Sequence, residues 1–204
     1  MLHFDSVPGF SWSARLAPAG NRAQAIERAR RLRRALLGFG PPDGFGALLA
    51  GSTPSFPLHL ATTLVEALRQ ASARNDPAAA REPAGALIGV GAGLTPSGDD
   101  LVGGLLFAKR WLLPRDRRWL ALGRRMTREV RERSHAVSAA LLSDLAAGRS
   151  FAPLHEIAAA LATGNQKLAL GAARTLVSIG HSSGWDMLTG FLIGSGAAGR
   201  GVSR

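Results

Sequence analysis

The sequence predicts a mainly α protein: a compact orthogonal or bundled helical domain with a short irregular or β-containing N-terminal part. Three observations lead there. From residue 97 onward, six consecutive segments carry apolar residues at helical spacing, punctuated by single prolines and glycines. Only Ala86 to Val90 forms a short strand-like run. Apolar residues make up 46% of the 204 and charged residues 19%, the balance of a chain that buries a core.

Taken in order, residues 1 to 20 scatter Pro8, Gly9, Pro18 and Gly20 among isolated apolar residues, which predicts an irregular or short-strand entry. Asn21 is placed to cap a helix over 22–37, with Ala25, Ala29, Leu32, Leu36 and Leu37 on its apolar stripe and arginines opposite. GFGPPDGFG (38–46) is a breaker, and a loop runs through Ser52 to Pro57. A helix is expected from Leu58 to Ala73, with Leu60, Leu64 and Leu68 in register, and a proline-bearing linker from Asn75 to Pro83. Helices are then expected near 97–113, 115–133, 135–147, 153–163, 166–178 and 184–195, separated by Pro114, Gly148, Pro153, Gly164 and Gly180. The chain divides on this reading into an N-terminal helical or irregular part, 1–86, and a helical domain, 87–204.

The chain contains no cysteine, which excludes disulfides and a thiolate zinc site. Its start, MLHFDSVPGF, has no basic region followed by an apolar one, so no secretory signal is expected. The longest apolar region, around 84–113, is broken by Pro96, Asp99, Asp100 and Lys109 and does not read as a membrane span. A cytoplasmic protein is expected. The formal net charge of +11 raises the question of nucleic acid. All the basic residues except Lys109 and Lys167 are arginines, concentrated in 22–34 and 110–133 at helical spacing. Aromatic residues do not alternate with them as a base-stacking surface requires. A small anionic metabolite or an acidic partner protein suits these faces, and nucleic acid ranks last.

Two stretches carry most of the chemistry: GLTPSGDD (93–100) and HSSGWD (181–186). Aligned on Ser97 and Ser183, SGDDLVGGLL lies over SGWDMLTGFL, with matches at Ser97/Ser183, Gly98/Gly184, Asp100/Asp186, Gly104/Gly190 and Leu106/Leu192. Helix capping explains part of this. Serine at the N-cap with aspartate three residues later forms a capping box worth about 1 kcal/mol; Thr95 as cap with Pro96 in the first turn is the alternative start. Capping does not require Gly98 or Gly184, because glycine costs about 1 kcal/mol within a helix. Those glycines point to a close approach to the backbone. With Gly89, Gly91 and Gly93 upstream, the first motif could form an anion-binding turn at a helix N-terminus. GVGAGLTPSG fits neither the dinucleotide fingerprint nor the phosphate-binding loop with its lysine.

Asp99 faces Trp185 in the alignment, so capping leaves it over; beside Asp100 it could ligate magnesium, orient an amide or transfer a proton. His181 could bind an anion or move a proton. The catalytic candidates are therefore Asp99, Asp100, His181 and Asp186, and the binding candidates Gly93, Thr95, Ser97, Gly98, Ser182, Ser183 and Gly184. Gly104 and Gly190 suggest a helix crossing that would bring both N-termini to one pocket. The sequence names no cofactor and no metal, and leaves open whether the chain is itself an enzyme.

GVGAGLTPSGDDLVGGLL together with IGHSSGWDMLTGFL resembles a bacterial family of domains of unknown function, numbered 2877, over about Leu87 to Gly194. That family includes the H-type subunit of oxamate carbamoyltransferase of anaerobic allantoin degradation. The resemblance implies a subunit of a multi-protein enzyme that moves a carbamoyl group between carbamoyl phosphate and oxamate. It implies hetero-oligomeric partners and a site for a small anionic metabolite at the two helix N-termini. Gly93, Thr95, Pro96, Ser97, Gly98, Asp99 and Asp100 carry over from the first motif, and Gly180, His181, Ser183, Gly184, Trp185 and Asp186 from the second. Residues 1–86 match nothing in the resemblance. A non-catalytic assembly or ligand-binding subunit, and then a nucleic-acid-binding helical domain, are the alternative readings.

Overall fold

A computed structural model describes residues 16–36, 38–39 and 42–198. Residues 1–15 of the expected irregular entry, Leu37 of the first stripe and Pro41 of the breaker lie outside the described residues. Among those described, nine α-helices follow one another: α1 (Arg22–Leu36), α2 (Thr62–Ala73), α3 (Pro77–Leu87), α4 (Ser97–Leu112), α5 (Arg117–Arg133), α6 (Ala136–Ala147), α7 (Ala152–Thr163), α8 (Gln166–Val177) and α9 (Ser183–Gly194). No described residue is in a strand. The mainly α reading holds.

The helices pack because their apolar stripes demand it. In α1, Ala25, Ala29, Leu32 and Leu36 are buried, and the Asn21 side chain accepts the Gln24 N–H at 3.1 Å. In α5, Trp119, Leu122, Met126 and Val130 line one face while arginines hold the other, and Asp116 caps the start. Glycines in the left-handed region close α6 at Gly148 and α7 at Gly164.

Helices α4 and α9 form the axis of the molecule. Nearly every residue of both is buried. One apolar core joins α1, α7 and α8 to them, and a second joins α2, α3, α5 and α6 to α4. A helix buried on all sides is an interior element, so the two motifs begin the two innermost helices.

Four local expectations are corrected. Residues 75–83 are not a linker: Pro77 starts α3 at its first turn, where its missing N–H costs nothing, and Asp76 accepts from the N–H groups of Ala78 and Ala79. Pro83 lies inside the same helix and is buried. Ala86 to Val90 is the end of α3 and a tight turn, not a strand. The breaker at 38–46 runs into a 3-10 segment, Gly44–Ala50. A second 3-10 turn, Leu58–Ala61, precedes α2, which shifts the register so that Leu58, Val65 and Leu68 are buried while Leu60 is exposed. No helix among the described residues is long and apolar enough to cross a membrane.

Candidate functional site at the junction of α4 and α9

The crossing is set by glycine. A methyl on Gly104 would overlap the carbonyl oxygen of Met187, and one on Gly190 would overlap that of Leu101. Leu101 and Met187 are themselves equivalent in the motif alignment, so the two contacts exchange when the helices are exchanged. The junction has a local two-fold character. Removing the side chain lets the backbones meet, and the two N-termini end side by side.

The expected capping boxes do not form. The N-caps are Pro96 and Ser182, with Ser97 and Ser183 at the first helical position, and neither cap makes a side-chain hydrogen bond. The hydroxyls reach across the junction instead. Thr95 Oγ1 lies 2.9 Å from Ser183 Oγ, and Ser97 Oγ lies 3.3 Å from Ser182 Oγ. Gly98 and Gly184 also have an internal reason. A Cβ at Gly98 would run into the carbonyl oxygen of Leu87, the last residue of α3; one at Gly184 would run into that of Leu176, near the end of α8. The Gly98 N–H donates to Val90 O at 2.8 Å and the Gly184 N–H to Ile179 O at 3.1 Å. Each motif is thus a helix end, a glycine turn and a new helix folded tightly together. These two N–H groups serve the chain itself rather than an anion.

The three aspartates differ. Asp99 is buried and fully engaged: Oδ1 accepts the Gly89 N–H at 2.7 Å, and Oδ2 accepts the Ser138 hydroxyl at 2.6 Å and the Ser134 hydroxyl. It ties the turn before α4 to the start of α6. Asp100 is 1% exposed, and its Oδ2 has no hydrogen-bond partner. Burial pushes its carboxyl up to about 8; the hydroxyls of Ser183 and Thr95 favour the charged form, while Asp186 and Asp99 oppose it. Asp186 is fully buried, and its Oδ2 is likewise unpartnered. Burial raises it to about 6, held down by the Phe45 N–H, which donates to Oδ1 at 2.7 Å, and by the hydroxyls of Ser97 and Ser182. Each carboxyl therefore sits under hydroxyls contributed in part by the opposite helix.

Around this centre, Ser97 is buried and Thr95, Ser182 and Ser183 are half-buried, so the hydroxyls form the outer layer and the carboxyls the inner. Gly93 and His181 lie on the exposed turns before α4 and α9. Among the described residues, neither side of that pair bonds to the hydroxyl–carboxyl cluster. No group of three or more His, Asp or Glu suited to a metal ion occurs among the described residues.

Sequence reasoning missed the groups that come from elsewhere in the chain. Gly44, with φ +58, brings the 3-10 segment against Asp186, where a Cβ would strike the carboxylate; Gly46 packs on Trp185. Ser134 and Ser138, far from either motif, hold Asp99. The signal for the first was present: two glycines in GFGPPDGFG that look like breakers are also contact residues.

The model of the family described as oxamate carbamoyltransferase subunit AllH matches residues 87–195, more than half of the 204. The chain belongs to this family. The matched span of the AllH-type chain begins with Leu87, the residue whose carbonyl Gly98 rests on, and ends with Ser195, just past α9. It therefore contains both motifs, all three aspartates and the α4/α9 crossing. Comparisons with curated proteins and with solved structures find no match.

Proposed function

We propose that this chain is the subunit of an oxamate carbamoyltransferase-like enzyme that holds the small amide-bearing acid, with the α4/α9 junction as its site. The observation that carries the reading is the pair of buried carboxyls, each with one unpartnered oxygen, under four hydroxyls.

The chemistry follows from their different proton affinities. With its carboxyl near 8, Asp100 is mainly protonated at neutral pH; with its carboxyl near 6, Asp186 is mainly ionised. A protonated Asp100 donates outward to Thr95 or Ser183; one of these hydroxyls donates to the other, and the remaining hydroxyl hydrogen is free to point out. An ionised Asp186 draws in one hydroxyl hydrogen from the Ser97–Ser182 pair, the other joining the two serines, and leaves lone pairs outward. The junction then offers donors on one side and acceptors on the other, which suits a molecule with a carboxylate at one end and an amide N–H at the other. Oxamate has that form. Holding it there would orient the amide nitrogen for carbamoyl transfer. A phosphate dianion is less suited, since no cation stands beside the two aspartates among the described residues; carbamoyl phosphate belongs on a partner subunit in this reading.

Isothermal titration at neutral pH tests it, with oxamate, carbamoyl phosphate and inorganic phosphate added to the chain alone and with its partner subunits. Oxamate is expected to bind, and Thr95→Val with Ser183→Ala to remove that binding. Unchanged oxamate affinity in the double variant of the assembled enzyme would sink the assignment.

A second reading, a non-catalytic assembly subunit, is favoured by one observation. On α5, Arg117, Arg124, Arg128 and Arg131 are exposed along one side and form no ion pair among the described residues. Such a stripe suits an acidic face of a partner protein. The two readings are compatible, because the stripe and the junction share no residue.

A further inference from the structure

The N-terminal part builds a second cavity, away from the motifs. The 3-10 segment Gly44–Ala50, α2 and the far half of α9 enclose a space of about 90 Å³. Leu48, Val65 and Ile193 give it apolar walls, Thr189 adds a hydroxyl already used by Trp185 O, and Arg33 and Arg69 stand on its lining.

The two arginines are not equivalent. Arg69 is committed: its Nε and Nη2 donate to the two oxygens of Glu66 at 2.7 and 2.6 Å. Arg33 has no carboxylate partner among the described residues. Its buried Nε is unpartnered, and its Nη2 makes only a long 3.4 Å contact with Leu49 O. Burial works against its charge most, and Arg34 and Arg69 add repulsion. A guanidinium without a carboxylate partner at the wall of an apolar space is suited to an incoming carboxylate.

We propose that this cavity binds a short-chain aliphatic monocarboxylate, its carboxylate against the guanidinium of Arg33 and its carbons between Leu48, Val65 and Ile193. Arg69 is neutralised by Glu66, so the single uncommitted guanidinium of Arg33 sets one negative charge. The space equals about three waters' share of liquid, which limits the body to a few carbons. The site uses none of the residues of the α4/α9 junction, so it stands or falls apart from the function proposed above.

Isothermal titration of the full chain at ~0.15 M salt with isobutyrate, and with isobutyramide as its uncharged counterpart, tests the assignment. Isobutyrate is expected to bind with a Kd of roughly millimolar order, with isobutyramide at least about tenfold weaker. Arg33→Gln is expected to bring isobutyrate down to the amide's level while leaving the helical circular-dichroism spectrum intact. Equal binding of acid and amide, undiminished binding by Arg33→Gln, or no saturable heat from isobutyrate would each overturn it. If Arg33→Gln does not fold, the acid–amide comparison on the unaltered chain decides alone.

Discussion

Gly190 of α9 rests on the carbonyl oxygen of Leu101 in α4, and there is no room between them for a single methyl group. Because Gly104 stands in the same relation to Met187, the whole molecule is organised around a pair of backbone-to-backbone contacts. Everything at the junction depends on that spacing: the hydroxyl pairs, the burial of the aspartates and their raised proton affinities.

Gly190→Ala should therefore destabilise the fold by about 3 kcal/mol, since neither backbone can yield without repacking both cores. Gly171→Ala provides the contrast. Gly171 lies in α8 with open space around its Cβ position, and alanine there should stabilise by about 0.5–1 kcal/mol. Chemical denaturation of the two variants measures the difference.

Asp99 has a structural signature distinct from that of Asp100. Replacing it by asparagine substitutes an NH₂ for an oxygen that accepts from the chain, at a place where Gly89, Ser134 and Ser138 all donate. The expected cost is about 2–3 kcal/mol, because buried donors lose their acceptor and are left unpartnered inside the protein. Denaturation midpoints at neutral pH report it, and a loss well under 1 kcal/mol would mean that the three donors find other partners.

The pH dependence of stability follows from Asp100 and Asp186. Both carboxyls are raised in the folded protein, to about 8 and about 6, above the unfolded value of about 4. Across that interval the folded state holds more protons than the unfolded state, so stability falls as pH rises. The contribution is complete below about pH 4. It is lost for Asp186 by about 6 and for Asp100 by about 8. Asp100→Asn should remove the decline between pH 6 and 8 and roughly halve its slope below pH 6, where Asp186 alone then remains. Unfolding at pH 5, 7 and 9 checks the shape; a decline that survives Asp100→Asn unaltered would assign it to another group.

Charge reversal at Arg124 and Arg128 should leave the isolated chain's melting temperature within a few degrees, since both are exposed and form no ion pair among the described residues. In the assembled enzyme it should slow association with the partner, and the difference should shrink at high salt. Surface-binding kinetics at two ionic strengths would measure this.

Helix positions were legible because the apolar stripes repeat without interruption from 97 onward, and the crossing was legible because Gly104 and Gly190 have no role within a single helix. The capping boxes were misread for a physical reason. A serine followed three residues later by aspartate satisfies the local rule, but here the hydroxyls gain more by bonding across the junction, and sequence spacing cannot show a partner on another helix. Helix α3 was hidden by Pro77 and Pro83: the first is a helix starter and the second a breaker, and their order in the sequence gives no sign that both are accommodated. The engagement of Asp99 by Ser134 and Ser138 was hidden too, since Ser134 closes α5 and Ser138 lies in the first turn of α6, and neither belongs to a motif.

The Phe45 N–H on Asp186 has a consequence for inheritance as well as for structure. The family model recognises a stretch that starts at Leu87, yet Asp186 inside that stretch takes its main-chain donor from residue 45, and the fully buried Phe45 ring fills part of a core shared by α2, α3, α4, α5 and α6. A fragment cut at Leu87 would carry every residue of both motifs together with a void and a bare carboxylate oxygen. The stretch that the family model matches is smaller than the portion that packs together.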